Sequence, residues 1–324
     1  MWRIFDEILR FFFMLFFIWS YAYLHFMWYG THPFLVKTEF RYKLPDEDLE
    51  KHATIYRSKR VSKKVILFLS GAYNLENHAY ISKMMHDLEA LHSDTMKEYE
   101  LICFEKSDQS SIIIYDDVAH FIRVLNDEVG GLDEVILVGF SSGGCVASSV
   151  MARLQTYTFK KKIITYDTPW QVQYNVEYFQ DNWFYRPDIL FFWKVFHTYS
   201  SHYNYEDIKQ YLDVKSNFSG AGDLVKIIEN VHGWSREKML EETGFNFNQT
   251  ADTRVYNIVS KWDPFVIRGD VHDKFVRENE HRIIWNNKVI EKKTIGHCSD
   301  MAFSTSYLNE IVLAIQDEWS PILE

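Results

Sequence analysis

A short glycine-rich segment in the middle of the chain has the residue types and spacing of a nucleophilic site. The order is Gly139-Phe140-Ser141-Ser142-Gly143, with glycine two residues before and two residues after Ser141. A serine in this spacing lies in a sharp turn between a strand and a helix, where small neighbours let the two elements approach closely. We therefore predict that Ser141 is a nucleophile. Ser142 is the weaker candidate, because it has glycine at only one of these two positions.

Short apolar segments and helical patterns alternate around this motif. We predict strands at residues 38–44, 65–69, 99–104, 135–138, 163–166, 255–259 and 289–295. Helices are predicted at residues 79–91 and 115–129 and directly after the motif. Apolar strands that alternate with helices indicate a mostly parallel sheet covered on both faces. The predicted fold class is therefore α/β, a mostly parallel sheet flanked by helices.

The motif in this setting resembles the nucleophile turn of the α/β-hydrolases of the lipase and esterase type. The resemblance covers the chain from about residue 63 to the C-terminus. It implies that Asp263, after a late strand, is the triad acid, and that His297, between the last strand and a C-terminal helix, is the general base. Two other acids stay open. Asp167 follows the strand after the nucleophile, where some related lipases carry the acid, and Asp300 lies close to His297 in sequence.

The same resemblance implies an oxyanion hole made of two backbone N–H groups. One belongs to the residue after the nucleophile, here Ser142, and the other to the turn after an early strand, here Ala72. The family often has His-Gly in that turn, whereas this chain has Ser70-Gly71. We expect neither a metal ion nor an organic cofactor.

The segment at about residues 170–250 interrupts the alternation of strands and helices and is rich in aromatic residues. Insertions at the carboxyl ends of strands in an open α/β sheet lie over the ligand site. We therefore predict an apolar, helical lid within an α/β-hydrolase domain of residues 31–324. An aromatic subdomain with no role in substrate binding is the alternative.

Residues 11–29 form an apolar run without Asp, Glu, Lys or Arg. As a helix this run would be about 28 Å long, which is close to the thickness of a bilayer core. The pattern predicts a single-pass membrane anchor in residues 1–30, and the flanking basic residues slightly favour a cytosolic catalytic domain. An interfacial helix and a signal peptide are the alternatives.

The composition restricts the partners of the protein. A formal net charge of −10 argues against nucleic acid, whose phosphates are bound by Lys and Arg. The chain has three cysteines, Cys103, Cys145 and Cys298, and none of them belongs to a CxxC pair. An odd number leaves at least one thiol free within a single chain.

Together these features predict a membrane-associated serine hydrolase that cleaves an ester or thioester of a lipid-like substrate through an acyl-enzyme. The partners we expect are an apolar ester and the membrane. An acyltransferase on the same scaffold and a non-catalytic binding protein that keeps the fold are alternatives. The acyl chain length and the oligomeric state stay open.

Overall fold

The computed structural model of the chain describes three stretches and part of the N-terminus. The stretches are residues 35–170 without 46–47, 49, 72–78 and 107–113, residues 233–263 without 247–252, and residues 287–317 without 296–297. At the N-terminus it describes helical positions between residues 8 and 27.

In the described part of the chain, eight strands form one sheet. They are β1 Leu35–Tyr42, β2 Lys51–Ser58, β3 Lys64–Leu69, β4 Glu100–Lys106, β5 Glu134–Phe140, β6 Lys160–Tyr166, β7 Thr253–Trp262 and β8 Asn287–Ile295. Their order is β1-β2-β4-β3-β5-β6-β7-β8. The pairs from β4 to β8 are parallel, whereas β2 is antiparallel to both β1 and β4. The predicted mostly parallel sheet is therefore confirmed.

Helices cover both faces of this sheet. The described helices are α1 Ala79–Leu91, α2 Ser93–Met96, α3 Tyr115–Glu128, α4 Ser142–Ala152, α5 Arg236–Thr243 and α6 Tyr307–Gln316, with a 3₁₀ helix at Ser299–Ala302. Alternate side chains of β5 enter two separate cores. Ile136 and Val138 pack in the core that contains α1 and α6, and Val135 and Leu137 pack in the core that contains α3 and α4. Burial on both faces explains why the strand is a continuous apolar run.

Strand β2 is not among the strands for which the sequence pattern gave bounds. Its sequence, KHATIYRS, has polar and charged residues among the apolar ones. The structure buries several of them, because they find partners. The Lys51 ammonium lies 3.4 Å from the Asp117 carboxylate, and both side chains are almost fully buried.

The predicted membrane-spanning helix is wrong. Among the residues that the structure describes, no helix has both the length and the apolar character needed to cross a bilayer. A few of the described N-terminal residues contact the rest of the protein, whereas most of them are exposed. The Trp19 ring stacks on Phe303 with centroids 5.1 Å apart, and Leu24 is buried in the core that contains α1 and α6. Hydropathy records only that a helix is apolar, so it did not distinguish a protein surface from a bilayer. The predicted single-pass membrane localisation is corrected accordingly.

Most of the predicted lid, residues 171–232, lies outside the described residues. The part that follows it packs on the sheet-covering helices. The Tyr115 hydroxyl of α3 donates to Glu242 of α5 at 2.6 Å, and the Asn246 N–H donates to Ser148 of α4 at 2.8 Å.

Candidate active site

The turn between β5 and α4 holds Ser141 in a strained backbone conformation. Strand β5 ends at Phe140 and α4 begins at Ser142, and the single residue between them has φ +50° and ψ −129°. A non-glycine residue in this region costs about 1–3 kcal/mol, and such residues cluster at functional sites. The Ser141 N–H donates to the Tyr166 carbonyl of β6 at 2.9 Å, which anchors the turn to the neighbouring strand. Ser141 is half-buried.

The two glycines of the motif lie where no side chain would fit. A Cβ atom on Gly139 would lie 2.4 Å from the Gly143 carbonyl oxygen. A Cβ atom on Gly143 would lie 2.4 Å from the Leu69 carbonyl oxygen at the end of β3. The predicted close approach of strand and helix around Ser141 is therefore confirmed.

The loop after β3 passes beside Ser141, as expected of an oxyanion loop. A Cβ atom on Gly71 would lie 3.4 Å from Ser141 Oγ. The Gly71 N–H itself donates to the Tyr80 hydroxyl at 2.7 Å, so the next N–H along the loop is the nearer candidate for an oxyanion. That group belongs to Ala72, which lies outside the described residues. The Ser142 N–H is at the first position of α4, where the helix dipole favours negative charge.

The thiol of Cys145, which follows the glycines on α4, does not compete with Ser141. Burial raises its pKa to about 12. The thiol therefore stays protonated near neutral pH and is a poor nucleophile. Its Sγ donates to the Pro169 carbonyl at 3.3 Å, which is a structural contact.

The predicted acid and base belong to loops at the same edge of the sheet. Asp263 directly follows β7 and is 4% exposed. His297 lies outside the described residues, and the next residue, Cys298, is a buried turn residue with φ +51°. Because the carboxyl ends of parallel strands meet at one edge, residues that follow β5, β6, β7 and β8 converge there. The roles of Asp263 and His297 remain predictions.

Asp167, the alternative acid, makes contacts that the sequence did not reveal. It directly follows β6, has φ +50° and is fully buried. Its Oδ1 accepts the Ser260 N–H at 2.6 Å, and its Oδ2 accepts the Ser260 hydroxyl at 2.9 Å. The same Oδ2 accepts the Cys298 N–H at 2.8 Å. The carboxylate is therefore bonded to β7 three residues before Asp263 and to the residue after His297.

Solved structures share this architecture, although the sequence comparisons find no relative. No family model matches the chain, and no curated protein matches it. A carboxyl esterase 2 from Tuber melanosporum superposes with a TM-score of 0.56 at 10% identity, covering 89% of this chain and 88% of its own. The Francisella virulence factor BioJ gives 0.55 at 11% identity, over 92% and 89%. Two fungal esterases from Rhizomucor miehei give 0.53 at 11% identity, over 89% and 85%.

The strand order, the strained turn at Ser141 and the likeness to these solved structures all indicate the same fold. The chain has the α/β-hydrolase fold. At such low identity the likeness shows the fold alone, so the activity has to be argued from the site.

The structure brings together part of the predicted site. It places Ser141, the Gly71 loop and Asp263 at the carboxyl edge of the sheet, while Ala72 and His297 lie outside the described residues. Asp300 lies in the 3₁₀ helix after the histidine loop. The sequence missed the bonds from Asp167 to Ser260 and Cys298. The only sign of these bonds in the sequence was that Asp167 is an acidic residue directly after a buried strand.

Proposed function

We propose that this chain is a serine esterase that cleaves an ester or thioester of an apolar, lipid-like substrate through an acyl-enzyme on Ser141. The observation that carries the proposal is the conformation of Ser141, with φ +50° between β5 and α4 on a scaffold that esterases share. This turn exposes the Oγ atom at the carboxyl edge of the sheet, next to the N-terminus of a helix.

In the proposed reaction, His297 takes the Ser141 proton while Oγ attacks the carbonyl carbon of the substrate. Negative charge develops on the carbonyl oxygen, and the N–H groups of Ser142 and Ala72 stabilise it. His297 then returns the proton to the leaving alcohol or thiol. A water molecule, deprotonated by the same imidazole, releases the acid. Asp263 holds the tautomer of His297 and stabilises its charged form.

The apolar substrate is inferred from the aromatic-rich insertion at about residues 170–250, which follows β6 in the sequence. Each methylene buried in an apolar pocket contributes about 0.8 kcal/mol, so a long acyl chain gains affinity there. We expect the double variant Phe191→Ser, Phe192→Ser to reduce kcat/KM for octanoyl esters more than for acetyl esters. An equal loss on both esters would contradict the proposed role of the insertion.

The net charge of −10 makes nucleic acid an unsuitable substrate.

The nucleophile is tested by labelling with a fluorophosphonate, which phosphonylates activated serines. We expect the wild type to be labelled stoichiometrically and to lose hydrolysis of p-nitrophenyl esters in proportion. Ser141→Ala should be neither labelled nor active. Ser149→Ala, a buried serine on the same helix, is the matched control and should behave as the wild type. Normal labelling of Ser141→Ala would refute the proposal.

A further inference from the structure

The carboxylate of Asp167 joins three segments that are far apart in sequence. Asp167 directly follows β6, Ser260 lies 93 residues later in β7, and Cys298 lies 131 residues later in the loop that follows β8. The donors from the described residues include two backbone N–H groups and one hydroxyl, at 2.6 to 2.9 Å. Hydrogen bonds to a buried carboxylate are short and about twice as strong as neutral ones.

The position of this carboxylate follows from the end of the parallel ladder. The Asp167 N–H still donates to the Ile258 carbonyl at 2.8 Å, which continues the pairing of β6 with β7. The left-handed φ of Asp167 then turns the chain away. In a continued ladder the Asp167 carbonyl would accept the Ser260 N–H. The side chain takes that place, and its second oxygen reaches the Cys298 N–H.

We propose that Asp167 is a positioning residue for the hydrolysis: its carboxylate holds the loop of His297 against the strand that carries Asp263. This inference rests on the proposed function. The contacts that carry the inference join Asp167 to the backbone beside the predicted base and the predicted acid, and Asp263 remains the predicted triad acid. A displacement of the base by about 1 Å can lower a rate by about 10²-fold. Hydrogen bonds that fix the loop of His297 are therefore expected to affect turnover.

Asparagine cannot replace Asp167 in this arrangement. One oxygen faces the Ser260 N–H and the other faces the Cys298 N–H, and both of these groups are donors. An amide has one oxygen and one NH₂ group, so in either orientation the NH₂ group meets a backbone N–H. Asp167→Asn therefore loses one of the two backbone contacts while the shape of the side chain is kept.

Asp117 provides a matched control. It is 1% exposed, accepts the Tyr42 hydroxyl at 2.8 Å and pairs with Lys51 at 3.4 Å. These partners belong to β1 and β2, at the opposite end of the sheet order from β7 and β8. Asp117→Asn therefore removes a similarly buried carboxylate and does not change the loops that follow β7 and β8.

The experiment measures kcat and KM for p-nitrophenyl acetate, with active sites counted by fluorophosphonate labelling and thermal unfolding recorded for each variant. We expect Asp167→Asn to lower kcat per labelled site by about 10- to 100-fold, with KM changed less than about twofold. Asp263→Asn should lower kcat by about 10⁴-fold. Asp117→Asn should lower the unfolding temperature but leave kcat per labelled site unchanged.

A second variant covers the case in which Asp167→Asn does not fold. Ser260→Ala removes the hydroxyl that donates to Asp167 and keeps both backbone contacts, and we expect kcat to fall by about three- to tenfold. Its control is Ser148→Ala, a fully buried serine that donates to the Cys145 carbonyl at 2.7 Å and accepts the Asn246 N–H. The control should keep the wild-type kcat.

Two results would overturn the inference. If Asp167→Asn and Ser260→Ala lose no more kcat per site than their controls, the carboxylate only stabilises the fold. If Asp167→Asn loses as much as or more than Asp263→Asn, Asp167 is the triad acid itself. Failure of the underlying function is separate, because it would appear as full activity in Ser141→Ala.

Discussion

A Cβ atom on Gly71 would lie 2.7 Å from the Cβ of Ser141, so the loop after β3 and the serine turn are in direct contact. The same atom would lie 2.8 Å from the Phe140 carbonyl oxygen. Both distances are below ordinary van der Waals contact, and two of the neighbouring atoms belong to the rigid turn itself. A side chain at position 71 must therefore displace either the loop or Ser141.

Gly71→Ala is expected to lower kcat by about 10²-fold, because a shift of about 1 Å separates the oxyanion donors from the serine. Hydrolysis of p-nitrophenyl acetate measures the loss. Gly130→Ala is the control. Gly130 has φ +66° and open space around it, so alanine there costs stability but should keep the wild-type kcat. Normal turnover in Gly71→Ala would show that the loop does not form part of the site.

His297→Ala is expected to lower kcat by at least about 10⁴-fold, since it removes the general base. Asp300→Asn, three residues further on in the 3₁₀ helix, should change kcat by less than about threefold. Steady-state kinetics with a soluble short-chain ester measure both. A large loss in Asp300→Asn would reopen the assignment of the acid, and a near-normal His297→Ala would remove His297 from the mechanism.

The thiols of Cys103 and Cys145 are expected to resist alkylation in the native protein. Burial raises the pKa of both, to about 12 for Cys145, so at about pH 8 almost no thiolate is present. A thiol assay with iodoacetamide and mass spectrometry should find both residues unmodified until the protein is unfolded, when all three cysteines react. Rapid modification of native Cys145 would contradict the buried position of α4.

The stacking of Trp19 on Phe303 predicts that the N-terminal segment stabilises the folded protein. Their rings are nearly parallel, with an interplanar angle of 14°. A double-mutant cycle with Trp19→Ala and Phe303→Ala should give a coupling free energy of about 0.5–1.5 kcal/mol in urea unfolding. Phe26, which is 86% exposed, provides a control pair with Phe303. Additive effects of Trp19→Ala and Phe303→Ala would show that the contact contributes nothing.

Local patterns were sufficient to predict the core of the sheet and the serine turn. A strand buried on both faces must be a continuous apolar run, and a turn between such a strand and a helix must have small residues at fixed positions. Both requirements involve residues within a few positions of one another. The prediction of β5, Ser141 and α4 therefore needed no knowledge of distant contacts. Strand β2 was harder to predict from its sequence, because its polar residues are compensated by buried partners such as Asp117.

The amino-acid sequence by itself determined the α/β pattern, the apolar N-terminal run and the glycine spacing around Ser141. Tertiary structure alone decided which residues of that run make contacts, because an apolar pattern does not specify the surface that it meets. Leu24 is buried in the core that contains α1 and α6 and Trp19 stacks on Phe303, whereas Phe26 is exposed. Tertiary structure also decided the place of Asp167. The donors to this carboxylate come from segments 93 and 131 residues away, and only the folding of the sheet brings their N–H groups to one point.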